Sequence, residues 1–146
     1  MSNDRISEAR RWRTCVHEAG HVALVLLTGA ELVRAIAYRH YSTASANHGS
    51  HGYTLYGRTS EVREALIDVA GIVAERMFTD ASPGTIARCT SDRLPADGEA
   101  LALCRDFLDA ARPGVLRVAG LLSEARGLVP GSALAHAFAD NQAGRS

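Results

Sequence analysis

The sequence contains no lysine, because all sixteen cationic side chains are arginines. A P-loop needs a lysine to reach nucleotide phosphates, so a conventional P-loop ATPase is excluded. Sixteen acidic residues balance the arginines, and the formal net charge is zero. This balance gives no polybasic stretch and no acidic tail, and we therefore expect no nucleic-acid partner.

Cysteines and long apolar runs are also scarce. Cys15, Cys89 and Cys104 are odd in number and have no paired spacing, which predicts a reducing compartment rather than a disulfide scaffold. Residues 1–13 are polar and charged and lack the apolar core of a signal peptide. The longest apolar stretch, Val22 to Leu27, is too short to span a bilayer. We expect a cytoplasmic protein without a membrane span.

The chain of 146 residues is 47% apolar, which predicts one domain over residues 1–146. The expected fold is mostly α with a small β-sheet (α+β), a helical bundle with a short hairpin or edge strand. Helical spacing of apolar residues predicts helices near residues 7–28, 60–77, 96–111, 113–127 and 133–138. Alternation and β-branching predict strands at 32–38 and 51–56, separated by a loop at 41–50.

The first predicted helix contains the motif His17-Glu18-Ala19-Gly20-His21. Positions i and i+4 lie on one face of a helix, so His17 and His21 can both bind one tetrahedral Zn²⁺. Glu18 is placed to contact a water on the metal and to act as general base in the hydrolysis of a peptide bond. The alternative is a pair of surface histidines that bind no metal.

Two further groups of residues follow the motif helix. His40, His48 and His51 could form a second metal site, but their spacings are irregular, and we interpret them instead as solvated loop residues or, for one of them, as a residue that helps to orient substrate. Tyr53, Thr54 and Leu55 lie in a predicted strand that is either an exposed edge onto which a substrate peptide adds, or an ordinary hairpin strand.

Four segments resemble FtsH-type zinc peptidases. The motif from His17 to His21 resembles the zinc-binding helix of that family, and residues 69–78, Val-Ala-Gly-Ile-Val-Ala-Glu-Arg-Met-Phe, resemble its second helix. Residues 51–54 resemble the short glycine-containing strand between them, and residues 130–134 resemble the entry to the last helix. The resemblance implies a zincin-like peptidase domain that binds zinc and cleaves peptides or unfolded proteins.

In that family an aspartate at the start of a later helix completes the zinc site. Two aspartates are candidates. Asp97 shares a helix face with apolar positions at +4, +7 and +11, and this face should be directed inward. The shared face favours Asp97 as the third ligand. Asp92 is the alternative if the helix begins earlier. Glu75 is a third candidate, but we expect it to orient a ligand histidine or to be a buried carboxylate with its own hydrogen-bond partners rather than to bind the metal.

FtsH-type proteases also carry an AAA ATPase module and membrane helices, which this sequence lacks. We therefore expect ATP-independent hydrolysis of flexible substrates, with a homo-oligomer or a separate partner subunit left open. A different class of function is a catalytically silent metal-binding module, regulatory or partner-binding, descended from such a peptidase. A third is hydrolysis of a non-peptide amide, since the same zinc chemistry serves amides generally.

Overall fold

The computed structural model describes residues 5–40, 51–80 and 98–140. Five helices and three strands lie in these ranges. The helices are α1 (Glu8–Leu27), α2 (Glu61–Phe78), α3 (Gly98–Ala110), α4 (Arg112–Glu124) and α5 (Gly131–Ala139), and the strands are β1 (Leu32–Ala37), β2 (Gly52–Tyr56) and β3 (Val129–Pro130). The prediction of a mostly helical α+β fold is confirmed.

The two long helices begin at side-chain caps. The hydroxyl of Ser7 accepts a hydrogen bond from the backbone N–H of Arg10, and the hydroxyl of Ser60 accepts one from Arg63. These bonds satisfy amide groups that have no partner inside the helix. Gly29 follows the end of α1 with φ of 79°, a left-handed conformation that glycine adopts without a steric penalty.

Helix α1 lies at the centre of the fold. It packs against α2 on one side and α4 on another, and it also contacts β1 and β2. Its buried residues extend from Arg11 to Val25 and join those of the other helices in one apolar cluster. The motif is therefore held on a helix whose position is fixed by several neighbours.

The three strands form an antiparallel sheet in the order β2-β1-β3. Strand β1 pairs with β2 from Leu32 opposite Tyr56 to Ala37 opposite Gly52. Strand β2 thus lies at an edge of the described sheet. An edge position is what the addition of a substrate peptide to this strand would require. Strand β3 was not predicted, because two residues are too few to show a periodic pattern.

Several predicted boundaries differ from the observed ones. Helix α4 ends at Glu124 rather than near Gly127, and α5 begins at Gly131, just after β3. Residues 125–130 leave the helix to reach the sheet, so the helical period could not continue. The predicted loop at 41–50 and the predicted start of α3 at residue 96 lie outside the described residues. Within the described ranges, no helix combines the length and apolarity needed to cross a membrane.

Candidate metal centre

Helix α1 carries His17, Glu18 and His21 in its buried middle section. His17 is 7% exposed and Glu18 is 3% exposed. Burying polar side chains in this way is unfavourable unless each has a hydrogen-bond partner. The partners come from α2 and β2, two elements that contact the same stretch of α1.

A carboxylate on α2 positions the ring of His17. Nδ1 of His17 lies 2.6 Å from Oε1 of Glu75, and both side chains are buried. A carboxylate oxygen accepts, so the imidazole donates its Nδ1–H in this bond. Glu75 therefore stands where the sequence analysis expects a residue that orients a ligand histidine.

A backbone carbonyl on α2 positions the ring of His21. Nδ1 of His21 lies 2.6 Å from the carbonyl oxygen of Ile67 and donates its proton to it. The two imidazole rings meet edge to face, with centroids 4.8 Å apart. Their Nε2 atoms are 3.1 Å apart.

This arrangement fits a divalent metal ion. Because the Nδ1 atom of each histidine faces an oxygen acceptor, the neutral rings direct their Nε2 lone pairs toward each other. Two lone pairs at 3.1 Å repel, whereas a proton or a metal cation between the two nitrogens makes the contact favourable. In a tetrahedral site with zinc–nitrogen bonds of about 2.0–2.1 Å, two ligand nitrogens are about 3.3 Å apart. His17 and His21 therefore have the spacing of two zinc ligands.

A third ligand is not visible in the described part of the chain. There, no group of three or more histidine, cysteine, aspartate or glutamate side chains is close enough to hold a metal. Asp97 and Asp92, the two candidates from the sequence, lie outside the described residues. The choice between them stays a prediction.

The carboxylate of Glu18 is held from the sheet. The hydroxyl of Thr54 on β2 donates a hydrogen bond of 2.8 Å to Oε1 of Glu18 and lies 3.4 Å from its backbone oxygen. Thr54 was expected from the sequence to contact substrate, and its contact with Glu18 was not anticipated. The hydroxyl restricts the rotation of the glutamate and leaves Oε2 as the second acceptor oxygen.

The neighbours of Thr54 on β2 have other surroundings. Because side chains alternate along a strand, Tyr53 and Leu55 share the face opposite to Thr54. The hydroxyl of Tyr53 accepts a hydrogen bond from Nε of Arg34, and the side chain of Leu55 is 40% exposed. The structure thus brings Thr54, but neither of its neighbours, into a hydrogen bond with the motif, and their contact with substrate stays a prediction.

Two glycines let the helices approach at the site. A Cβ atom on Gly71 of α2 would lie 2.5 Å from Nε2 of His17, and one on Gly20 of α1 would lie 2.5 Å from the carbonyl oxygen of Ala70. A Cβ atom in a folded protein does not come this close to another heavy atom, so a side chain at either position would force the helices or the histidine to shift. The sequence signal for Gly71 is a glycine in the interior of a helix, where it costs about 1 kcal/mol relative to alanine and so suggests a packing requirement.

One expectation about the histidines is wrong. His51 is not a solvated loop residue, because its side chain is only 4% exposed beside the start of β2. Its backbone oxygen accepts a hydrogen bond from the N–H of Tyr38, which ties residue 51 to the end of β1. Burial, and then the positive charge of Arg10, lower the pKa of His51. His40 is exposed, as expected, and His48 lies outside the described residues.

Comparison with known proteins adds no family assignment to this geometry. No protein-family model matches the sequence, and no curated protein is significantly similar to it. The resemblance to FtsH-type peptidases therefore rests on the four sequence segments alone, and it stays a prediction.

Proposed function

We propose that this protein is a zinc-dependent metallopeptidase with a zincin-like domain resembling that of FtsH-type peptidases. The observation that carries the proposal is the pair of Nε2 atoms 3.1 Å apart, beside a buried glutamate. His17 and His21 would hold the metal, and Asp97 or Asp92 would complete its protein ligands. The general base would be Glu18.

Each buried partner has a role in this reaction. Glu75 and the carbonyl of Ile67 hold the two imidazoles through Nδ1, which would leave both Nε2 atoms available to bind the metal. Zinc, when bound, supplies a Lewis acid that polarises the scissile carbonyl and makes water acidic near neutral pH. Glu18 accepts a proton from the attacking water and passes it to the leaving nitrogen. Thr54 keeps one glutamate oxygen fixed, so that the carboxylate faces the reaction in one orientation.

The substrate in this proposal is a flexible peptide or an unfolded segment of protein. Tyr53, Thr54 and Leu55 lie on an edge strand of the described sheet, next to the strand-to-helix contact that holds Glu18. An extended peptide adds to such an edge by backbone hydrogen bonds. Hydrolysis would be independent of ATP, in a cytoplasmic setting, by the chain alone, by a homo-oligomer or with a separate partner subunit.

The first experiment measures metal content beside hydrolysis. Purified protein, supplied with zinc and kept free of chelators, should contain about one zinc per chain by elemental analysis. The double variant His17→Ala, His21→Ala should contain none. A peptide-library screen should show hydrolysis that a chelator abolishes and added zinc restores.

The variant Glu18→Gln separates binding from catalysis. The amide is nearly isosteric with the carboxylate but accepts no proton at neutral pH, so zinc should stay bound while turnover is lost. Full hydrolysis by Glu18→Gln would overturn the assigned mechanism. Zinc binding without any peptide hydrolysis by the unaltered chain would instead support the catalytically silent module. The variants Asp97→Asn and Asp92→Asn identify the third ligand, since one of them alone should lose the metal.

A further inference from the structure

A cavity of about 390 Å³ lies beside the first turns of α1, away from the motif. The end of α4 and the residues after β1 close its other sides. Its polar and aromatic walls are formed by Arg5, Glu8, Arg11, Trp12, Arg39 and Ser123. The segment before α1 is held in place by backbone contacts, since Ile6 donates to the carbonyl of Arg39.

The cavity carries an excess of positive charge. Three arginines and one glutamate line it, and within the described ranges none of the three arginines forms a salt bridge. Burial, and then the charges of Arg39 and Arg5, lower the pKa of Arg11. Arg39 and Arg5 are therefore close enough to Arg11 to disfavour its charged form, and Glu8 is the only carboxylate among the described residues that line the cavity.

Backbone carbonyls hold two of these arginines rigidly. Nη2 of Arg11 donates to the carbonyl of Leu122 at 2.7 Å, and Nη2 of Arg39 donates to that of Ser123 at 2.9 Å. The C-terminal end of a helix carries only about half a negative charge. The end of α4 therefore compensates only part of the two positive charges of Arg11 and Arg39. Nε of Arg11 is buried and has no hydrogen-bond partner among the described residues.

The cavity also has an aromatic side chain in its lining, Trp12. Trp12 is the single tryptophan of the chain and is 37% exposed although it lies on the central helix. An indole face favours an apolar group or a planar one, whereas guanidinium groups favour carboxylate or phosphate. Glu8 disfavours a doubly charged phosphate relative to a singly charged carboxylate. The volume is within the range of about 300–1,000 Å³ that small-molecule sites occupy.

We propose that this cavity binds a monocarboxylate attached to an apolar side chain, such as the carboxyl-terminal residue of a short peptide. Arg5, which makes no side-chain hydrogen bond in the described part of the chain, would contact the carboxylate, and Trp12 would contact the apolar group. No residue of the cavity takes part in the metal centre, so the proposal stands whether or not the protein is a peptidase.

The single tryptophan makes the binding directly measurable. The intact protein, kept in EDTA to prevent hydrolysis, is titrated with N-acetyl-leucine, N-acetyl-leucinamide, the peptide acetyl-Ala-Ala-Leu and inorganic phosphate. Tryptophan fluorescence reports on Trp12, and isothermal titration calorimetry detects binding that leaves the fluorescence unchanged. We expect each acid to bind at least about tenfold more tightly than the amide, because charge-assisted hydrogen bonds are lost with the carboxylate.

Two variants locate the site. Arg5→Gln should weaken the binding of N-acetyl-leucine about fivefold or more without unfolding the protein. The matched control is Arg105→Gln, which removes an equal charge from an exposed position on α3 and should leave the affinity unchanged.

A tighter complex with the tripeptide than with N-acetyl-leucine would identify a peptide end as the source of the carboxylate, and the reverse would identify a small free acid.

Three results would overturn the proposal. They are equal binding of acid and amide, binding of phosphate as tight as that of the acids, and absence of heat or fluorescence change with any of the ligands. An equal effect of Arg5→Gln and Arg105→Gln would also overturn it, because binding would then depend on net charge alone.

Discussion

Replacing Gly71 with alanine should disrupt the metal centre while leaving the protein folded. The added Cβ would lie 2.5 Å from Nε2 of His17 and 2.6 Å from both neighbouring ring carbons, whereas ordinary contacts measure 3.4–4 Å. The imidazole therefore has to withdraw by about 1 Å. Its hydrogen bond to Glu75, now 2.6 Å, would lengthen beyond the range of a hydrogen bond if Glu75 did not follow.

The magnitudes distinguish a local effect from a global one. Overpacking a buried site costs about 1–3 kcal/mol, and replacing a helical glycine with alanine returns about 1 kcal/mol. The net change in the free energy of unfolding should be about 0–2 kcal/mol, so α1 and α2 stay packed. Loss of a partner that orients a ligand lowers metal affinity about 10–100-fold. Displacement of the ligand itself adds to that loss, and we expect zinc affinity to fall about 100-fold or more.

Gly120 provides the matched control. It lies in the interior of α4, and a Cβ there would meet no atom within 4 Å. Gly120→Ala should therefore raise stability by up to about 1 kcal/mol and leave zinc affinity unchanged. Competition with a chromophoric chelator measures affinity, and thermal unfolding in EDTA measures stability. In the metal-free proteins, ¹⁵N NMR of the imidazoles should show the Nδ1–H tautomer of His17 with Gly120→Ala and a changed signal with Gly71→Ala.

The reasoning would be refuted if Gly71→Ala bound zinc as tightly as Gly120→Ala. It would also be refuted if both variants kept the same tautomer at His17, because the added methyl group would then have found space without moving the ring.

Three further predictions concern Thr54, His51 and the two buried cysteines. Thr54→Val removes the hydroxyl that donates to Glu18, so kcat should fall about tenfold or more at unchanged zinc content. Thr54→Ser keeps a hydroxyl and should restore kcat. An unaltered kcat in Thr54→Val would contradict the positioning role of Thr54. Burial lowers the pKa of His51 in the folded state, so the unfolded state binds more protons as the pH falls through about 6.5. Acidification should therefore lower the free energy of unfolding, measured with urea in EDTA, and the decrease should be smaller in His51→Gln than in the unaltered chain. Equal pH dependence in the two proteins would contradict the lowered pKa of His51. Burial raises the pKa of Cys15 to about 11 and that of Cys104 to about 12; iodoacetamide at about pH 8 should leave both unmodified until urea is added, and peptide mapping that finds either one labelled in the folded protein would show that it is accessible.

The sequence predicted the parts of this fold that depend on local chemistry. Helices α1 and α2 begin at serine caps, and the motif places two imidazoles on one helix face by spacing alone. The expected contact between Glu75 and a histidine of the motif is also present, because Glu75 faces Nδ1 of His17. Strand β3 and the end of α4 were missed, because both depend on where the chain after residue 124 meets the sheet.

The contacts that complete the candidate site are tertiary and less visible in a sequence. Thr54 reaches Glu18 across 36 positions of the chain, and the partner of His21 is a backbone oxygen 46 positions away. A carbonyl group is present at every residue, so the identity of Ile67 gives no sign that its oxygen is used. Such a partner is selected by the packing angle of two helices rather than by a side chain.

Gly71 links His17 to that packing. A side chain at position 71 would cover the turn before it, and a Cβ there would lie 2.5 Å from Nε2 of His17. Because glycine has no side chain, the ring of His17 fits against this turn of α2, while His21 donates to the carbonyl of Ile67. The Nε2 atoms of the two rings are then 3.1 Å apart. Metal binding and the packing of α1 against α2 should therefore stabilise each other, so zinc that binds the folded chain should raise its unfolding temperature.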